Sequence, residues 1–304
     1  MTTPLQLQKL YREGQNICDH LRSEYGVEKN TPEIIEIAYD LQSGSYIDAM
    51  RDPEMAAHKA EYSAMIAEVI RNGMVRPQSI LEAGVGEATT LSGVLSNLRD
   101  DSDSAPRAYG FDLSWSRLRL AKNWLAKEGL SDMHLCTGDL CEIPFADESI
   151  DVVYTSHSIE PNGGREIEIL QELYRVAARR LVLVEPGYEF ACEEGQQRMR
   201  HHGYCRDLAK HAERLGWEVT DHRPLGIAAN PLNPSAVTVI EKSRSLKKLQ
   251  SSDDPFACPV TRRPLKRQAG VYFSPENLSV YPIVEGIGCL RRGNAIMASA
   301  FGAA

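Results

Sequence analysis

The chain has 304 residues, 42% of them apolar and 25% charged, with a net charge of −8. That composition is ordinary for a globular enzyme with room for one large α/β domain and appendages. It offers no run near the ~20 apolar residues that a membrane span needs, and its acidic balance weighs against a polyanionic substrate such as nucleic acid.

Residues 1–75 are expected to form a helical cap. Thr31-Pro32-Glu33 is a capping residue followed by proline at the first helical position, and Ile34, Ile35, Ile37, Ala38 and Leu41 then recur with helical spacing. A second amphipathic run over 54–72 ends at Gly73. The opening residues Met1-Thr2-Thr3-Pro4 lack the basic-then-apolar order of a secretory leader, which leads us to expect a cytoplasmic protein.

From residue 78 the pattern alternates between strand and helix. Strands are expected at 79–83, 107–112, 133–136, 150–155 and 180–185, with helices over 87–98, 114–128 and 165–176. Such alternation predicts a parallel sheet with right-handed crossovers. A further helix over 204–215, strands near 217–220 and 236–240, and the short link 224–234 suggest an antiparallel hairpin at the sheet edge. The expected domains are a cap at 1–75, the α/β domain at 76–243, a polar linker at 244–254 and a small β-rich module at 255–304. Seven scattered cysteines, with no Cys-x-x-Cys pair, read as reduced thiols and offer no zinc set.

Three strand ends carry chemistry. Glu82-Ala83-Gly84-Val85-Gly86 closes the first strand and opens a helix, where glycines permit a sharp turn and close approach to a ligand. Asp112 ends the second strand and can accept from ribose hydroxyls, or it caps the following helix. Gly138-Asp139-Leu140 ends the third. These motifs stand in order with Asp151-Val152-Val153 and Leu170-Gln171-Glu172-Leu173-Tyr174-Arg175-Val176. Residues 78–190 thereby resemble class I S-adenosylmethionine-dependent methyltransferases, of the type 11-like kind. The resemblance implies a Rossmann-like α/β fold with a seven-stranded, mostly parallel sheet and a terminal antiparallel hairpin. It further implies S-adenosyl-L-methionine as cofactor, with Gly84 and Gly86 at its methionine and ribose part and Glu82 supporting the loop or the ammonium group. Asp112 would bind the ribose and Leu113 would flank the adenine. Asp139 would bind the adenine amino group beside Leu140, and Ser156 would lie near the methionine end.

The family's third loop glycine is Ala88 here, a change we read as tolerable because that position serves close helix packing. Asp112 follows Glu82 by 30 residues (112 − 82), against ~20 in dinucleotide folds; the insertion at 100–106 accounts for the excess. A nicotinamide-binding enzyme is the competing Rossmann reading, and it leaves Gly138-Asp139 unexplained.

Methyl transfer from a sulfonium mainly requires alignment of donor and acceptor, with a base where the acceptor is a hydroxyl or a protonated amine. The segment Thr155-Ser156-His157-Ser158-Ile159-Glu160-Pro161-Asn162 forms the expected acceptor wall, with His157 and Glu160 as candidate base. A structural histidine and a capping glutamate are the alternatives. Tyr188, His201 and His202 form a second candidate substrate group, against a solvated helix end. Tyr39, Tyr46 and Tyr62 either close over the cofactor or pack in the core.

Phe256-Ala257-Cys258-Pro259 and Tyr281-Pro282-Ile283-Val284-Glu285-Gly286 resemble the small, zinc-ribbon-like methyltransferase-activator family. Thr261 and Arg262 stand where its zinc-binding members carry a second cysteine, so no metal is expected. The module is expected to pair with the catalytic sheet edge, as a stabilising partner in cis or as part of the acceptor pocket. The functional expectation is methyl transfer to a small-molecule or glycan-type acceptor at oxygen or nitrogen. An RNA or protein methyltransferase with a fused activator, or a non-catalytic cofactor-binding protein, are the other readings.

Overall fold

The computed structural model describes residues 1–74, 76–99, 105–242 and 255–301. The expected linker at 244–254 and most of the insertion at 100–106 lie outside the described residues. Helices α1 (Pro4–Arg12), α2 (Ile17–Tyr25), α3 (Pro32–Leu41), α4 (Ser45–Ala49) and α5 (Pro53–Arg71) fill the N-terminal quarter. Three of them start from side-chain caps placed before a proline: Thr3 accepts from Gln6 N, Thr31 from Ile34 N and Asp52 from Glu54 N. Each cap satisfies one of the amide donors that a helix start leaves unpaired. Leu7, Ile17, Leu21, Ile34 and Ala38 form a small core of their own between α1, α2 and α3.

The α/β region follows as β1 (Ser79–Ala83), α6 (Thr89–Leu98), β2 (Arg107–Asp112), α7 (Trp115–Lys127), β3 (His134–Thr137), β4 (Ile150–Ser156), α8 (Glu166–Val176) and β5 (Ala177–Pro186). Helices α9 (Glu193–His202) and α10 (Leu208–Arg214) and strands β6 (Glu218–Pro224) and β7 (Ser235–Glu241) complete it. The strand order is β3-β2-β1-β4-β5-β7-β6, parallel except where β7 runs against β5 and β6. Strands β1 and β4 are continuously apolar and buried apart from Glu82, Asp151 and the chain's few hydroxyls, as a sheet covered on both faces requires. The seven-stranded Rossmann-like sheet with a terminal antiparallel hairpin stands as expected.

One local expectation changes. The helix expected over 204–215 is shortened to α10, and a further helix, α9, precedes it; Gly203 ends α9 in the left-handed region at φ +67° and the next residues pair with a distant loop. Cys205 N donates to Glu160 O at 3.0 Å and Gly163 N to Gly203 O at 3.0 Å, so tertiary hydrogen bonds hold 203–205 out of a helix. Ala88 is fully buried in an apolar cluster, as close packing requires, and it also precedes α6 in the left-handed region at φ +59°, where a Cβ costs about 1–2 kcal/mol.

A C-terminal β-rich part extends the same sheet. It contains β8 (Lys266–Gln268), β9 (Val271–Ser274), β10 (Ser279–Val284), β11 (Ile287–Cys289) and β12 (Ile296–Met297). Strand β11 lies parallel to β3, with Gly288 opposite Cys136 and Cys289 opposite Thr137. It is joined to β10 by a two-residue turn, Glu285-Gly286, with both φ positive, the geometry that suits a tight hairpin. Phe256, Cys258, Tyr272, Tyr281 and Leu290 share one buried cluster with Tyr109, Phe111 and Phe145 of the main sheet. The β3 edge, which would otherwise expose unpaired backbone groups, is thereby covered.

Candidate active site

The carboxyl ends of the parallel strands meet the N-terminal helices around one cavity of about 380 Å³. It opens beside β1, where the strand order reverses toward β4, the place at which open α/β sheets bind ligands. Every residue expected at the cofactor, Glu82, Gly84, Gly86, Asp112, Leu113, Asp139, Leu140 and Ser156, lines it, and so do His157 and Glu160. Tyr188, His201 and His202 are not among its lining residues. His201 and His202 sit on the last turn of α9, and the Tyr188 hydroxyl accepts from Arg200 at 2.5 Å.

At one end the turn after β1 meets Asp112. Asp112 Oδ2 accepts from Gly86 N at 2.9 Å, and Oδ1 accepts from Ser114 N at 2.9 Å. Ser114 itself caps α7 through Arg117 N, so Asp112 is not that helix's cap. Each carboxylate oxygen accepts one amide and keeps a further lone pair. Gly84 has φ +78°, and a Cβ there would lie 2.2 Å from Ser158 Cβ, so no side chain fits. Asp139 Oδ1 accepts from Cys141 N at 2.8 Å, which fixes the turn after β3.

The N-terminal helices close this end through two carboxylates. Glu87 accepts from Gly44 N and Ile47 N at 2.9 and 2.8 Å. Asp40 accepts from the hydroxyls of Ser114 and Ser116 at 2.6 and 3.1 Å. Tyr39, Tyr46 and Tyr62 all line the cavity. The rings of Tyr39 and Tyr46 flank the buried Arg117 guanidinium at 5.3 and 4.6 Å, and Arg117 Nε faces Glu87 Oε1 at 3.7 Å.

Between the two ends, Glu82 accepts from the Tyr154 hydroxyl at 2.9 Å, and Lys59 Nζ donates to Thr90 Oγ1 at 3.0 Å. Burial pushes the Glu82 carboxyl up and the Lys59 ammonium down. The Tyr62 hydroxyl bonds Ser156 Oγ at 3.0 Å.

At the other end, His157 stands at φ +54°, a conformation that costs a non-glycine residue free energy unless its surroundings impose it. Glu185, at the end of β5, imposes it by accepting from Ser158 N, Ile159 N and Glu160 N at 3.1, 3.1 and 3.0 Å. His157 Nδ1 then meets Glu160 Oε2 at 2.5 Å, and Nε2 meets Ser235 Oγ at 2.7 Å. Burial pulls the imidazole pKa down, but the hydrogen bond and charge of Glu160 outweigh it and hold His157 above its ordinary value. Burial raises Glu160, yet its bonds to His157, Tyr204 and Asn233 hold it below the usual carboxylate range.

Several lining residues were missing from the sequence-derived site: Lys59, Arg117, Asn233 and Ser235. The link 224–234 is more than a return between strands, since Ala228, Ala229, Asn230 and Asn233 face the cavity. Its one sequence signal is the pair of Asn-Pro turns at 230–231 and 233–234. None of residues 255–301 lines the cavity, so of the two roles foreseen for the C-terminal part the structure favours bracing. Arg291 pairs with Glu36 on α3, and Arg292 Nε donates to Glu142 Oε2 at 3.0 Å beside the Asp139 turn.

Residues 80–180 match the family model described as a methyltransferase domain. Among solved structures, the chain is similar to magnesium protoporphyrin IX methyltransferase from Synechocystis PCC 6803 with bound S-adenosylhomocysteine. That match has 16% identity and a TM-score of 0.52, covering 70% of this chain and 100% of the other. The same enzyme with bound S-adenosylmethionine gives 14% identity and a TM-score of 0.51, with 71% and 99% covered. At these identities the likeness is one of fold. Residues 80–180 thus carry a methyltransferase domain, laid on a Rossmann-like sheet with the cavity at its switch point.

Proposed function

We propose that the chain transfers a methyl group from S-adenosylmethionine to a small-molecule or glycan-type acceptor, at an oxygen or nitrogen. The donor supplies an electrophilic methyl on a sulfonium, whose carbon–sulfur electron pair returns to sulfur as the new bond forms. The observation that carries this reading is Asp112, buried against Gly86 N–H at the bend after β1 with lone pairs left for ribose hydroxyls. Leu113, Asp139 and Leu140 would hold the adenine. Glu82 and Lys59, hydrogen-bonding groups of opposite kind on the cavity wall, would meet the ammonium and carboxylate of the amino-acid end. A cavity of about 380 Å³, at the lower end of the range for ligand sites, leaves little room beyond the donor. A small acceptor follows.

His157 and Glu160 stand at the opposite end from the adenine-side residues and would remove the acceptor's proton as the bond forms. The Synechocystis enzyme of like fold holds S-adenosylmethionine and S-adenosylhomocysteine, which supports the donor assignment. Titration calorimetry with S-adenosylhomocysteine tests it: micromolar binding is expected, and a protein that binds neither it nor S-adenosylmethionine sinks the reading. Labelled methyl donor incubated with fractionated metabolites then identifies the acceptor.

The C-terminal β-rich part acts as a partner in cis, an arrangement that the resemblance to activator proteins supports, and no helix of the described residues is long and apolar enough to cross a membrane. We place the enzyme in the cytoplasm. Removing 251–304 would bare the β3 edge and the apolar faces of Phe145 and Phe111, so the truncated chain is expected to aggregate or to melt well below the full chain. An equal melting temperature and equal donor binding would refute the bracing role.

A further inference from the structure

Both nitrogens of His157 are engaged. Nδ1 faces Glu160 Oε2 at 2.5 Å, and Nε2 faces Ser235 Oγ at 2.7 Å. An acceptor molecule cannot reach the imidazole without displacing the serine. The serine's backbone is fixed: it begins β7, where it lies opposite Pro186 of β5 and its carbonyl accepts from Leu225 N at 2.9 Å. Its side chain is buried yet lines the cavity. The carboxylate behind the imidazole is fixed too, since Asn233 Nδ2 donates to Glu160 Oε1 at 3.3 Å. Asn233 Oδ1, beside the serine, is buried with no partner among the described residues and awaits a donor.

We propose that Ser235 is the group that meets the acceptor, with His157 and Glu160 acting through it. The proposal rests on the methyl-transfer reading above and adds the route of the proton. Neutral His157 keeps its Nδ1 proton on Glu160 and accepts the Ser235 hydroxyl proton at Nε2. The acceptor's own hydroxyl gives its proton to Ser235 Oγ in the same movement, so the serine ends as it began. The acceptor oxygen is left with the electron pair that forms the new bond to carbon. The positive charge comes to rest on the imidazole, next to the Glu160 carboxylate. A second hydroxyl or amine on the acceptor would satisfy Asn233 Oδ1, which points to a substrate with two neighbouring donors. A serine bonded to a histidine backed by a carboxylate is a hydroxyl poised to give up its proton, whatever electrophile it meets.

That property can be measured without knowing the acceptor. Methanesulfonyl fluoride is small enough for the cavity. In its reaction the Ser235 Oγ–sulfur bond forms as the sulfur–fluorine bond breaks, fluoride leaves with the electron pair, and the serine proton passes to His157. We expect one sulfonyl adduct, located at Ser235 by peptide mass spectrometry, forming faster as pH rises and slowed by saturating S-adenosylhomocysteine. It should be absent from Ser235→Ala and at least about tenfold slower in His157→Asn, with each variant shown to be folded by its thermal melt. Absence of an adduct on the folded wild-type protein, an adduct at another residue, or equal labelling of His157→Asn each overturns the serine's role. Failure to bind S-adenosylhomocysteine would instead strike the methyl-transfer reading, because the labelling does not depend on the donor.

Discussion

The two ends of the cavity are built differently. At the donor end, each functional group sits within a few residues of the strand that carries it, and its geometry is set mostly by amides two positions on, Ser114 N for Asp112 and Cys141 N for Asp139, with Gly86 N of the adjacent strand end as the one longer link. At the acceptor end, the groups come from β4, β5 and β7 and bond one another across the chain. His157 and Ser235 are 78 positions apart, and Glu160 and Asn233 are 73 apart. The donor end is thus a set of independent local turns, whereas the acceptor end is one coupled network that forms only when the sheet closes. Changes at the donor end should therefore weaken binding one interaction at a time, while changes at the acceptor end should remove turnover as a unit.

The largest effect is expected from His157→Asn, chosen because asparagine tolerates the positive φ of this position. Loss of the base should lower kcat about 10²–10⁴-fold while the affinity for S-adenosylhomocysteine stays within a factor of two or three of wild type, roughly the worth of a fraction of one hydrogen bond. A matching loss of donor affinity would show that the two ends are not separable. The same network sets the pH response. His157 titrates above its ordinary value and is useful only when neutral, so turnover should rise as pH climbs through that raised value. In Glu160→Gln, which removes the charge holding the proton on, the rise should move to lower pH.

Asp112→Asn comes next. Replacing a charged acceptor of ribose hydroxyls should weaken S-adenosylhomocysteine about 10–100-fold by calorimetry, following the ~1.5–3 kcal/mol typical of hydrogen bonds to charged groups. At saturating donor, kcat should be close to wild type. An unchanged affinity would mean that the carboxylate serves only the backbone amides it already holds. The smallest effect is expected from Tyr62→Phe, at the junction of the two ends. It removes the 3.0 Å bond to Ser156 Oγ, and affinity should fall only a few-fold, on the order of 1 kcal/mol.

The same division explains what could be read before the fold was known. Alternating apolar strands and capped helices are local patterns, so β1 to β5 and the residues at their ends were legible from Ser79 to Pro186. The Thr31-Pro32 cap of α3 and the amphipathic run of α5 announced those N-terminal helices for the same reason. Lys59, Arg117, Asn233 and Ser235 gave no such signal, because a lysine or serine at regular spacing looks alike whether it faces water or a cavity. At Ala88 packing and positive φ both favour glycine; the first is legible in the sequence and the second only in the backbone angle. The start of α10 at Leu208, four residues later than the pattern suggests, is not legible because its cause is a pair of hydrogen bonds to residues 160 and 163.

The residues themselves determined the individual strands, the glycine bend after β1 and the placing of an acid at the end of β2, since each is encoded within a few positions of chain. Tertiary structure alone decided which side chains meet His157, that β11 would extend the sheet at β3, and which tyrosines flank Arg117. Those choices depend on the crossovers that bring strands distant in sequence into register, and no short stretch of residues encodes them.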